Sequence, residues 1–189
     1  MCVLYRDKNF SREYSRGKTK IGTGEKMNTR FKNHKGFSLI ELLIVVAIIL
    51  IIAAIAIPNL LRSKMAANEA SAVGSLRTIN TACVTFSTTY GGFPGSLTVL
   101  GGEGNGASPT STAAQLIDNT LQNSSKSGYA FNFTAGSVDT SGNVDSYTVT
   151  ASPSNPGVTG LRYFYTDQTG VIRVNQTQTA GSSDSPLGN

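Results

Sequence analysis

Glu41 stands four residues after Phe37 and immediately before sixteen unbroken apolar residues, Leu42–Ile57. A carboxylate in that place has one obvious chemistry, which is to meet a cation. An ionised acid within a membrane-spanning helix costs roughly 2.5–3.5 kcal/mol even on insertion scales. An acid at the lip of such a run therefore calls for a partner. Other chemistry is hard to assemble here. The single histidine, His34, and Cys2 both precede Phe37, which leaves Cys83 as the only residue of either type beyond it. Neither a His/Cys metal cluster nor His-based catalysis can be built from residues 37–189. Asp118, Asp139, Asp145 and Asp167 fall mainly in loop-like sequence, with no base or nucleophile beside them. Asp167-Gln168-Thr169-Gly170 lacks the second close acid of a calcium loop and reads as a turn. Cys83 reads as a small buried hydrophobe. The chain is expected to be no enzyme and to need no cofactor or metal.

The formal charge of +5 could suggest a nucleic-acid partner, but its distribution argues against one. Residues 1–36 hold ten Lys or Arg and three acids, a net +7, and the remainder carries −2. The basic stretch has no apolar periodicity and reads as a polar leader. From Phe37 to Ile57 there are 21 residues, about 32 Å as a helix at ~1.5 Å per residue, which matches a bilayer's hydrocarbon core. With the positive flank first, residues 1–36 are expected on the cytoplasmic side and the rest outside. Charge and length alone would equally fit a plain signal anchor.

Pro58 should kink or stop a helix. Yet helical periodicity resumes after it. Leu61, Met65, Ala66, Ala70, Val73, Leu76, Ile79, Cys83, Phe86 and Tyr90 recur at steps of mostly three or four. Arg62, Lys64, Asn68, Glu69, Ser75, Arg77 and Thr81 fill the polar face. One helix over 37–90, bent at Pro58, is expected, with 37–58 crossing lipid and 59–90 entering a globular body. It would be about 80 Å long. Gly91-Gly92 and Pro94 stop it. Residues 91–127 read as a Gly/Ser/Thr-rich loop, with a short helix over Thr112–Gln122 capped by Ser111 or Thr112. From 128 to 175 the period changes to two. Strands are expected around Tyr129–Phe133, Tyr147–Ala151, Leu161–Thr166 and Val171–Asn175, the last two joined by a hairpin at Asp167–Gly170. The fold class is α+β, with the helix's second half packed on an antiparallel sheet of about four strands. Residues 176–189 read as a flexible tail.

The stretch Lys35-Gly36-Phe37-Ser38-Leu39-Ile40-Glu41-Leu42-Leu43, continuing through Ala53-Ala54-Ile55-Ala56-Ile57-Pro58, resembles the N-terminus of type IV pilins and the pseudopilins of type II secretion. The likeness is dense over Phe37–Pro58. It implies a prepilin peptidase cutting between Gly36 and Phe37 and methylating the new amine of Phe37. It also implies an inner-membrane assembly platform as partner and polymerisation with copies of the same chain. The protein would first lie in the inner membrane, with its N-terminus cytoplasmic, and later in an extracellular filament. Many relatives have leaders about as short as Met27–Gly36, so Met27 is expected as the start. Glu41 would pair with the amine of its own Phe37 or with that of a neighbouring subunit. Two departures stand out. Leu50 replaces a Gly common in the family, which should confine any loosening of the helix to roughly Ala53–Pro58. A cysteine pair near the C-terminus is also missing, and the Asp167–Gly170 hairpin is expected to tether that region instead. A type II secretion pseudopilin is the alternative within the family. A membrane-anchored binding module is the rival outside it.

Overall fold

The computed structural model describes residues 36–102 and 108–188. The expected leader lies outside the described residues apart from Gly36, and with it Cys2, Met27 and His34. The chain divides into two units, Met1–Leu42 and Leu43–Asn189.

In the first unit the described residues are 36–42, where helix α1 (Leu39–Tyr90) begins. In the second unit α1 continues through Pro58 as helix on both sides. Pro58 has no N–H to give to Ala54, so one backbone bond is forfeited there. Tyr90 is the last helical residue because Gly91 takes φ 87°, a left-handed conformation that costs glycine nothing. The Gly91 amide still reaches Ser87 O at 3.0 Å.

Helix α1 is followed by two four-residue helices, α2 (Leu97–Leu100) and α3 (Asn119–Gln122). Five strands come next: β1 (Ser125–Lys126), β2 (Tyr129–Ala135), β3 (Tyr147–Pro153), β4 (Tyr163–Asp167) and β5 (Arg173–Asn175). They form one antiparallel sheet in the order β1-β2-β3-β4-β5. Period-two burial along β3 turns Tyr147, Val149 and Ala151 inward. The register sets Phe131 opposite Ala151 and Ala151 opposite Phe164. Against this face α1 lays Ala72, Val73, Leu76, Ile79, Cys83 and Phe86, while Leu97, Leu100 and Leu121 close one side of the core.

Several expectations need correction. The buried stripe of α1 starts later than its apolar pattern suggests, for Leu61, Ala66 and Ala70 are exposed. Glu69 and Ser75, placed on the polar face by residue type, are buried. The helix expected over Thr112–Gln122 shrinks to α3. Its N-cap is Asp118, whose carboxylate accepts from Leu121 N at 2.8 Å. Strand β1, two residues long, adds a fifth to the four expected. Val171 and the exposed Leu161 fall outside the strands assigned to them. The C-terminal segment is tied down and not loose. Val174 N donates to Ser185 O at 3.0 Å and Leu187 N to Ile172 O at 2.7 Å. Asp184 accepts from Asn175 Nδ2 at 2.9 Å and from Gly181 N at 2.7 Å. This segment covers the outer edge of β5, which would otherwise offer unpaired backbone groups.

Candidate functional site

The expected processing bond lies in open surroundings. Gly36 is exposed and nothing lies within 4 Å of where a Cβ would stand. Phe37 is 80% exposed. Ser38 is the last residue before α1, so Glu41 is the third residue of the helix. The carboxylate Oε2 of Glu41 accepts from the Ser38 backbone amide at 3.0 Å, and Leu42 N donates to Ser38 O at 3.2 Å. This is the carboxylate half of a capping box, in which an acid three residues in satisfies an amide that the helix cannot. The negative charge also sits at the positive end of the helix dipole. The spacing Ser38-x-x-Glu41 is itself the sequence signal of this cap, and it is missing from the expectations for Glu41. The structure thus joins Glu41 to Ser38, and Phe37 stands beside them unburied.

Beyond Leu42 the apolar run stays bare. Every residue over 43–57 is exposed except Ala53, which is half-buried. Helix α1 contains an 18-residue window of mean hydropathy 3.3 with none of it buried, long and apolar enough to cross a membrane.

Where α1 meets the body, polar side chains fix it in register. Glu69 Oε1 accepts from Leu161 N at 2.8 Å, and Glu69 Oε2 accepts from Arg162 Nε at 2.7 Å. Burial opposes the charge of Glu69, but the hydrogen bonds from Leu161 and Arg162 outweigh it and hold the carboxyl below its usual range. Asn68 Nδ2 donates to Thr159 O at 2.9 Å. Further along, Asn80 Nδ2 donates to the buried Thr166 Oγ1 at 2.8 Å and Asn80 Oδ1 accepts from Tyr147 OH at 3.1 Å. Gly160 permits this junction, because a Cβ there would collide with the Tyr129 hydroxyl. That hydroxyl donates to Arg162 O at 2.8 Å. None of these pairings was visible in sequence, since the partners on α1 and the body lie 67 to 93 residues apart.

The remaining candidates are structural. Cys83 is buried, which pushes its thiol up to about 12 and leaves it unreactive near neutrality. Asp167 closes its own turn by accepting from the Thr169 amide at 2.9 Å. Among the described residues no three His, Cys, Asp or Glu gather as a metal site would require.

Residues 31–57 match the family model described as the prokaryotic N-terminal methylation motif. The likeness to known proteins lies in this N-terminal stretch. Over 38 residues it is 63% identical to the type IV wide pilus major component PilA4 of Thermus thermophilus. That stretch is 20% of this chain and 29% of the relative, so the likeness spans less than a third of the relative's length. No solved structure matches the chain. The methylation motif takes in Gly36, Phe37, Ser38 and Glu41 and stops one residue short of Pro58. The long apolar helix followed by a small antiparallel sheet agrees with a pilin-type α+β fold.

Proposed function

We propose that this chain is the precursor of a type IV pilin. It would be cleaved between Gly36 and Phe37 by a prepilin peptidase and methylated on the Phe37 amine. An inner-membrane assembly platform would then polymerise it with copies of itself into an extracellular filament. The observation that carries this reading is an openly exposed Gly36–Phe37 bond within the methylation motif, at the head of an apolar helix bare of contacts. Cleavage removes the +7 leader and frees an amine with an ordinary pKa of about 7.7–8.0, cationic for much of the time at neutral pH. Glu41 is its counter-charge. One carboxylate oxygen is engaged by Ser38 N, so the other is available to the amine of an incoming subunit. In an apolar medium an unpaired charge is costly and a paired one less so, so this contact would set the axial register of the filament.

Mass spectrometry of filaments sheared from the cell surface tests the proposal. The expected dominant species starts at methylated Phe37. A full-length chain confined to the membrane would overturn it and favour an anchored binding module. The role given to Glu41 has its own test: Glu41→Ala should leave cleavage intact and abolish filaments, and normal filaments from that variant would refute it.

A further inference from the structure

A cavity of about 210 Å³ opens where α1 ends, within the unit Leu43–Asn189. Its walls come from separate stretches of chain. Phe86, Tyr90 and Phe93 come from the end of α1 and just past it, Val99 from α2, and Ser111 and Asn143 from two connections. Each wall is fixed. The Phe86 and Tyr90 rings pack with centroids 4.7 Å apart, and Phe93 makes a T-shaped contact with the buried Tyr147 at 5.0 Å. Phe93 N donates to Val144 O at 2.9 Å. Asn143 N donates to Asp139 Oδ1, and Asn143 O accepts from Asp139 N, both at 2.8 Å. Ser111 lies inside the turn in which Thr110 and Ala113 exchange backbone hydrogen bonds at 3.1 and 3.2 Å. Gly92 lets the exit of α1 come this close to the β2–β3 connection, for a Cβ there would stand 2.8 Å from Asn143 Cβ.

We propose that this cavity binds one neutral sugar ring, the terminal residue of an uncharged glycan. Its size excludes larger ligands, since pockets for drug-sized molecules run to about 300–1,000 Å³. Its charge excludes ionic ones. Among the described residues no Asp, Glu, Lys or Arg lines it, so a phosphate, carboxylate or ammonium would lose water there without a counter-charge. The aromatic rings and Val99 suit the C–H face of a sugar. The polar tips suit its hydroxyls. The Tyr90 and Ser111 hydroxyls and the Asn143 side-chain amide have no hydrogen-bond partner among the described residues. Hydroxyls and amides both donate and accept, as each sugar hydroxyl does. A purely apolar occupant would strip water from these groups and replace none of its bonds. The site uses none of residues 36–58, so the inference goes beyond the filament reading and does not depend on it.

Saturation-transfer NMR on the full chain, held in a detergent without a sugar headgroup, tests the proposal. The probes are the methyl glycosides of glucose, galactose, mannose and N-acetylglucosamine, in which the anomeric oxygen is blocked as it is in a glycan. At least one should bind with a Kd of about 1 mM, the weak affinity expected of so small a ligand. Tyr90→Ala should weaken that binding about tenfold, and Asn143→Ala about three- to tenfold. Tyr90→Phe keeps a ring beside Phe86 and removes only the hydroxyl, so it should bind more weakly at an unchanged denaturation midpoint. A methyl glucuronide, whose carboxylate finds no counter-charge, should not bind. Silence from all four glycosides, undiminished binding by the variants, or binding of the glucuronide would overturn the proposal. Tighter binding of cyclohexanol, a ring with a single hydroxyl, would overturn it in favour of an apolar side chain of a protein partner. Binding of the free sugars without their methyl glycosides would overturn the glycan end as the source of the ring.

Discussion

The two halves of α1 share one backbone and differ in everything else. Residues 43–57 are almost wholly apolar and almost wholly exposed, whereas the more polar stretch 69–86 buries nine residues. Composition alone would have ranked them the other way. Burial depends on a partner, and the sheet offers one only to the second half. The bare half is far larger than the apolar patches soluble monomers usually show, and in our reading lipid and then other subunits cover it. The second half adds what the first lacks, polar side chains that fix its rotation and height against the sheet.

That contrast can be broken or sharpened by substitution. The largest effect on folding is expected at the core: Phe164→Ala should destabilise the detergent-solubilised chain by about 3–5 kcal/mol in denaturant titration. Loss of the Glu69 latch comes next. Glu69→Ala should cost about 2–3 kcal/mol, since it strands the Leu161 amide and the Arg162 guanidinium. This latch is also sensitive to acid. The folded carboxyl lies below its unfolded value near 4.5, so its stabilisation is complete above that value and is lost as pH falls through the folded pKa. Denaturation midpoints of the native chain should drop in acid more steeply than those of Glu69→Gln, and parallel curves would count against the latch. Asp184→Ala, which frees the C-terminal segment, should cost about 1 kcal/mol. It should also speed amide exchange at Val174 and Leu187. Ile48→Ala, in the bare half, should move folding stability by no more than about 0.5 kcal/mol. A core-sized loss there would mean that this segment is packed by its own chain after all.

What the sequence disclosed follows the same division. The apolar run, the helical period after Pro58 and the alternation in β2 and β3 are local patterns, and all were legible. Glu69 was misplaced because a carboxylate is sorted as polar until its partner is known, and Arg162 lies 93 residues away. Strand β1 has two residues, too few for a period of two to show, and β5 is shorter than the stretch Val171–Asn175 expected for it. The C-terminal segment has the Gly, Ser and Thr content of a loose tail, and it is ordered by Asp184 contacts that composition does not encode. At the candidate site Gly36, Phe37 and Glu41 stand out from the residue pattern alone, and their roles are the ones proposed above. The helix cap is also a local signal, since Ser38 stands three residues before Glu41.

The order of the sheet has a consequence for how the body comes together. Every strand pairs with its predecessor in sequence, so none has to be threaded between two already joined. The sheet can be laid down one hairpin at a time as the chain emerges, each step closing a short loop at small entropic expense. The long-range closure is the docking of α1, which joins Glu69 to a residue 93 positions later. Such distant contacts are the slow ones. The helix that comes first in the chain is therefore the last element to find its place.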